Sequence, residues 1–251
     1  MNSAAKSHRI LLEICVASIE DCLTAQAGGA DRVELNAALA LGGLTPSLGL
    51  LREARQALRL PIIVMIRPRP AGFCYSASEF AVMQREVEIA LAHGADGIAF
   101  GILHETGSID YTRCAQIMRL AAEREAVFHR AFDVTPEPLA ALEQLIDLGV
   151  RRVMTSGQES NAYNGARNIA HFIRHAAGRI QILPAGGINR FTIADICART
   201  GCEQVHASLS TTQLDTSTHA RPQIRFGNAA ISEETYSATQ LEAVREMRRL
   251  L

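Results

Sequence analysis

The seven residues Val127-Phe128-His129-Arg130-Ala131-Phe132-Asp133 carry an apolar run into an imidazole, a guanidinium and a carboxylate. Histidine titrates near neutrality, so it can give or take a proton in catalysis. Arginine forks onto carboxylate or phosphate oxygens, and aspartate can brace either partner. A strand that needed only to pack would not end this way. The plain structural alternative is an Arg130–Asp133 ion pair beside a satisfied core histidine, because structural ion pairs also cluster charge.

The elements around this stretch alternate short β-rich runs with amphipathic helices. Strands are expected at Ile10–Cys15, Arg32–Asn36, Ile62–Arg67, Gly97–Gly101, Ala126–Arg130, Arg152–Ser156, Ile180–Ala185 and Gln204–Ser208. Helix starts are marked by Ser18-x-x-Asp21, which is close to a capping box, by Ser76-x-x-Glu79, which fits one directly, and by Thr45-Pro46 and Thr135-Pro136. Phe80, Met83, Val87 and Leu91 share one helical face. Glycines at 28–29, 94, 149 and 201 each stop a helix before the next strand. Eight such units in 251 residues predict a single α/β domain over 1–251, a closed TIM (β/α)8 barrel, which typically needs about 250 residues. Two parts depart from the rhythm. Residues 1–9 are expected to be flexible, and 209–232, including Arg221-Pro-Gln-Ile-Arg-Phe-Gly-Asn228, are expected to be irregular before a last helix from about Glu233 to Leu251.

Strand side chains alternate between faces, so the apolar parity should face the helices. Leu12, Ile14, Val33, Leu35, Ile62, Val64, Ile66, Ile98, Phe100, Phe128 and Val205 then point outward. The inward parity holds Glu13, Cys15, Glu34, Asn36, Arg67, Arg69, His129, His206 and Ser208, with small Gly97, Ala99 and Gly101 opening space. Ser156 is the inward residue expected from the sixth strand. Barrel interiors are normally filled with Val, Ile and Leu, whereas charges at the C-terminal ends of several strands make an active site. The structural alternative is a closed salt-bridge network of Glu13, Glu34, Arg67 and Arg69 that pins the barrel.

The candidate acid–base residues are therefore Glu13, Glu34, His129 and His206. Arg67, Arg69, Arg130, Asp133, Ser156 and the Gly186–Gly187 pair are candidates to bind a small anionic group, since loops after the last strands of this fold often hold phosphate. These residues describe an enzyme site for a small carboxylate or phosphate metabolite without naming its reaction.

Composition narrows the partners. The chain is 48% hydrophobic and 20% charged with a formal net charge of −1, which leaves no general basic surface for nucleic acid or anionic membrane. Met1–Arg9 has no apolar h-region and does not read as a signal peptide. The apolar run Ile62–Ile66 is far too short to cross a bilayer. Cysteines at 15, 22, 74, 114, 197 and 202 include no CxxC pair, so reduced thiols in the cytoplasm are expected.

The chain also resembles the CutC family of copper homeostasis proteins. The resemblance rests on Leu12-Glu-Ile-Cys-Val-Ala-Ser18, Gly29-Ala-Asp-Arg-Val-Glu-Leu35, Gly42-Gly-Leu-Thr-Pro-Ser-Leu-Gly49 and Ile66-Arg-Pro-Arg69. Phe73-Cys-Tyr-Ser76, Phe128-His-Arg-Ala-Phe-Asp133, Thr155-Ser-Gly157 and Val205-His-Ala-Ser208 extend it along the chain. It implies a TIM barrel, a cytoplasmic homodimer or larger homo-oligomer, and copper bound by cysteines ending the first two strands. Cys15 matches the first of these and Asn36 stands where the second is expected, with Cys74, His129 or His206 as substitute ligands. Gly72 stands where relatives often carry an acidic residue.

Overall fold

The two apolar sets made by strand alternation fall into separate clusters. Leu12, Ile14, Val33, Leu35, Ile62, Val64, Ile98, Phe100, Phe128 and Val205 pack under the helices. Ile63, Met65, Ala99, Val127, Met154, Leu183 and Ala185 form a second cluster inside the barrel. The computed structural model describes residues 9–226 and 232–251. The expected flexibility of the N-terminus therefore falls almost wholly outside the described residues, as does the end of the Arg221–Asn228 run.

Eight parallel strands form the barrel: β1 (Leu11–Val16), β2 (Arg32–Leu35), β3 (Ile62–Met65), β4 (Gly97–Phe100), β5 (Glu125–Phe128), β6 (Arg152–Thr155), β7 (Gln181–Pro184) and β8 (Gln204–Ala207). Their order is β7-β6-β5-β4-β3-β2-β1-β8, with Glu13 of β1 opposite both Arg32 and His206. Gln204 Nε2 donates to Gln181 Oε1 at 3.1 Å and links β8 to β7. Around the strands lie α1 (Ile19–Gly28), α2 (Leu48–Ala57), α3 (Ala77–Ala92), α4 (Tyr111–Ala121), α5 (Pro138–Asp147), α6 (Ala166–Ala176) and α7 (Ile193–Thr200), with α8 (Leu241–Leu250) closing the chain. Among the described residues no helix is long and apolar enough to cross a membrane.

The helix ends follow the local chemistry, with two corrections. Ser18 accepts from the Asp21 N–H, and Ser76 with Glu79 makes a full capping box. The four glycine stops at 29, 94, 149 and 201 all have positive φ. Thr45 does not cap α2, because Ser47 does; Thr45 Oγ1 instead donates to Glu86 and accepts from the Arg67 N–H. Thr135 ends a short 3-10 helix over Arg130–Val134, and Pro138, not Pro136, opens α5.

The stretch after β8 is not wholly irregular. β9 (Ser210–Leu214) pairs antiparallel with β10 (Thr235–Thr239), so the last helix starts at Leu241 and not near Glu233. Both faces of this hairpin are largely exposed, which explains why its sequence shows no alternation. The Thr239 N–H donates to Asp21 Oδ1 at 2.6 Å and ties the hairpin to α1.

The floor of the barrel is polar. Arg32 pairs with Glu13 and donates to Gln204 Oε1 at 3.1 Å, while Arg152 pairs with Glu125 and donates to Gln181 Oε1 at 3.3 Å. The alternative network of Glu13 and Glu34 with Arg67 and Arg69 does not form; Glu13 takes Arg32 instead. Packing outside the barrel is equally tight. A Cβ at Gly28 would lie 2.4 Å from Val244 Cγ1, so Gly28→Ala is expected to push α8 off α1. A loss of about 1–3 kcal/mol, read as a lower thermal midpoint, is the expected result.

Candidate functional site

The C-terminal ends of the strands open into a cavity of about 440 Å³. β1 and β2 contribute Cys15, Glu34 and Asn36 to its wall, and β8 contributes His206. Met65, Arg67, His129 and Met154 come from the ends of β3, β5 and β6, and Ser210 and Ser237 reach it from the hairpin. The sequence reading missed Met65, Met154, Ser210 and Ser237. The two methionines carry the inward parity and could have been found by it; the serines sit on a hairpin with no periodic signal.

His206 is the hub. Its Nδ1 lies 2.8 Å from Glu13 Oε1, and its Nε2 lies 3.8 Å from Glu34 Oε2. Burial alone would lower the imidazole pKa, but the Glu34 and Glu13 carboxylates outweigh it and the net shift is upward. Burial pulls Glu13 up while Arg32 and His206 pull it down, and its carboxyl ends far below the usual range. Glu34 goes the other way: burial raises it, His206 opposes, and Glu13 adds to the rise. Burial and the Glu34 and Glu13 charges likewise push the Cys15 thiol well above its ordinary value. Asn36 Nδ2 donates to Glu34 Oε2 at 3.0 Å and points at Cys15 Sγ at 3.4 Å. Glu13 therefore sits beneath the cavity as the orienting carboxylate, and Glu34 faces into it.

His129 lies one residue beyond β5, not within the strand, and caps the 3-10 helix by accepting the Ala131 N–H on Nδ1 at 3.1 Å. That bond places the imidazole proton on Nε2, which is buried with no partner among the described residues. Gly101, expected to open space, is where the ring fits: a Cβ there would stand 2.4 Å from His129 Cε1. Burial and the nearby Arg67 charge lower the His129 pKa from 6.5 to about 3. In the unfolded chain this histidine takes a proton near pH 6.5; in the folded chain it does not until about pH 3. Its contribution to stability is thus fully present above pH 6.5 and lost progressively as pH falls toward 3. His129→Gln is expected to unfold less steeply with acid over that window, measured by urea melts at stepped pH.

The arginines divide. Arg67 lines the cavity, but Nη1 donates to the Leu41, Gly42 and Gly43 carbonyls and Nη2 to Ala71, so it ties two loops together. Arg69 does not line the cavity. Pro68 and Pro70 flank it beyond the end of β3, strand parity no longer applies, and it pairs with Glu79. Arg130 lies on the cavity wall, held by Asp133 Oδ2 and Ser156 Oγ, each at 2.8 Å. Asp133 also accepts from Thr155 Oγ1 and the backbone N–H groups of Ser156 and Gln158, so it braces the rim. Ser156 is consumed in the same brace. Gly186 and Gly187 line an adjoining cavity of about 190 Å³ that shares Cys15, Arg130 and His206 with the larger one.

With this geometry in place, the relatives are informative. A sequence model of the CutC family matches residues 10–211. The CutC family protein of Treponema denticola is 46% identical over 90% of this chain and 92% of its own. The human copper homeostasis protein cutC homolog is 38% identical over 97% of this chain and 90% of its own. The chain belongs to the CutC family. The crystal structure of CutC from Streptococcus agalactiae superposes with a TM-score of 0.76 at 32% identity, covering 78% of this chain and 97% of that one. Thiamine phosphate pyrophosphorylase of Pyrococcus furiosus, at 14% identity and a TM-score of 0.57, shares the barrel alone. Against the ligand set implied by CutC resemblance, Cys15 lies in the cavity and Asn36 beside it, while Cys74 is exposed and lines neither cavity. Among the described residues, Cys15, Glu34 and His206 form a metal-capable group, each offering one ligand atom within 4.8 Å of the others, and His129 is outside it. A Cβ at Gly72 would meet nothing within 4 Å.

Proposed function

We propose that the barrel mouth takes up one transition-metal ion through Cys15, Glu34 and His206, and that its cargo is copper. The convergence of thiol, carboxylate and imidazole atoms within 4.8 Å carries this reading. The surroundings support it. Glu13 holds His206 Nδ1, leaving Nε2 to face the ion, the carboxylate–histidine arrangement that orients metal-binding imidazoles. Glu34 Oε1 is buried without a partner among the described residues, an acceptor that a cation would satisfy. The donor chemistry fits copper(I), which favours soft sulfur, since the Met154 thioether shares the cavity with Cys15 and His206. Asn36 acts as a hydrogen-bond donor to Glu34 and leaves the site with one thiol. The curated relatives named for copper homeostasis point to the same cargo. Under reducing conditions, the protein is expected to take one copper(I) equivalent from a competing chelator, and His206→Ala to take less. Equal uptake by His206→Ala and the parent would overturn the assignment.

A second reading rests on a different observation, the size of the cavity. About 440 Å³ exceeds what one ion needs, and a neutral His129, whose Nε2–H has no partner among the described residues, shares the walls with a charge-stabilised His206. Groups whose environments push their pKa values apart are suited to acid–base work on a small anionic metabolite. In that reading Glu34 and His206 move the proton, and His129 donates to the ligand. A metabolite library should then raise the thermal midpoint with at least one anionic compound, and Glu34→Gln should abolish its turnover. A library with no stabilising anion would count against it.

A further inference from the structure

The smaller cavity shares Cys15 and His206 with the metal-capable group, but its remaining wall is made of different chemistry. It is lined by Arg130, Gly186, Gly187 and Ser208, among others, and by no aspartate or glutamate. Gly186 and Gly187 both have positive φ, 95° and 69°, so two successive residues take the left-handed conformation. Both residues line the cavity with bare backbone, which lets an anion approach the loop closely. The carbonyls of this loop are used elsewhere. Gly186 O accepts from the Ala162 N–H at 2.9 Å, and Gly187 O from Asn189 Nδ2 at 3.2 Å. The Gly186 and Gly187 N–H groups themselves donate to no acceptor among the described residues.

A charged donor lies over the same spot. Asp133 and Ser156 hold Arg130 through Nε and Nη2, leaving Nη1 without an acceptor among the described residues. A Cβ on Gly186 would stand 3.3 Å from Arg130 Cζ and Nη1, so a side chain there would fill the gap between loop and guanidinium. Ser208, exposed just beyond β8, also lines this cavity, with a hydroxyl that has no partner among the described residues. A glycine pair needed only for a tight turn does not require a braced arginine beside it with one nitrogen unused.

We infer that this cavity binds the phosphoryl group of a phosphate monoester between the Gly186 and Gly187 N–H groups, Arg130 Nη1 and the Ser208 hydroxyl, with the rest of the ligand in the larger cavity. A phosphoryl group offers three oxygens to the loop N–H groups, the guanidinium and the hydroxyl, and glycine-rich backbone loops are common phosphate cradles. The inference rests on the metabolite reading and deepens it by naming its ligand class.

The test is isothermal titration of the metal-free protein with inorganic phosphate, glycerol phosphate and malonate. Saturable binding of both phosphates, with glycerol phosphate the tighter, is expected. Ser208→Glu, which sets a carboxylate at an exposed position on the cavity wall, and Arg130→Gln should each weaken binding by about tenfold or more. Thermal melts confirm that each variant is folded. Ser208→Glu keeps the test decisive if Arg130→Gln loosens the rim. Absence of phosphate binding, or binding unchanged in Ser208→Glu, overturns the cradle. If malonate binds and phosphate does not, the cradle fails while the metabolite reading stands.

Discussion

Glu13→Gln is expected to destabilise the protein by about 3–5 kcal/mol, more than any surface substitution, because it strands the buried Arg32 cation and takes the carboxylate from His206. Glu13 is 1% exposed and is the shared partner of Arg32 and His206. An amide of the same shape keeps the packing but leaves the Arg32 guanidinium without its carboxylate. The pH dependence has a definite sign. The folded-state carboxyl of Glu13 lies far below its ordinary 4.5, so its contribution is present above about pH 4.5 and is lost only as acid approaches that depressed value. At pH 7 the wild type holds the whole term and the Gln variant none. Urea unfolding at pH 7 should show the difference as a lower midpoint with an unchanged slope. The same variant should lower the His206 pKa, followed by its imidazole proton resonance, since one of the two carboxylates that raise it is gone. Neutral behaviour in both measurements would mean that the barrel floor does not depend on this carboxylate.

The second large effect concerns metal uptake. Cys15→Ser is expected to lower copper(I) affinity at least about a hundredfold, because a hydroxyl is a poor ligand for a soft ion. Uptake should also be steeply dependent on pH. Burial raises the pKa of both the Cys15 thiol and the Glu34 carboxyl, so each gives up its proton less readily than its exposed counterpart. An ion bound there needs the thiolate and the carboxylate, and binding therefore releases protons. Release of at least one proton makes affinity rise by about tenfold per pH unit, and Cys15→Ser should flatten that slope. Competition titrations at pH 6, 7 and 8 read both effects. A pH-independent affinity in the parent protein would remove Cys15 from the ligand set.

How much of this was legible in the chain follows from where periodicity holds. Val33, Leu35, Ile62, Val64 and Ile66 mark the outward face by alternation alone, and that placed Cys15, Glu34, Asn36 and His206 at the mouth. The rule fails once the strand ends. Arg69, beyond Pro68, turns away to Glu79, and His129 reaches the cavity from a cap on a 3-10 helix. Arg32 and Arg152 carry the inward parity but stand at strand starts just after the turns, where a charged residue reads as a solvated entry. Their partners Gln204 and Gln181 lie 172 and 29 residues away, separations that no local pattern reveals. The hairpin was illegible because neither of its faces is buried. The metal-capable group joins β1, β2 and β8, and only barrel closure brings Glu34 and His206 together.

The most direct measurement is an anomalous difference map at the copper edge from crystals grown anaerobically with copper(I) and reductant. Copper uptake at the barrel mouth predicts one dominant peak within bonding distance of Cys15 Sγ, His206 Nε2 and a Glu34 oxygen. No peak there, or a dominant peak at the Cys197–Cys202 pair, whose sulfurs lie 4.0 Å apart, would contradict it.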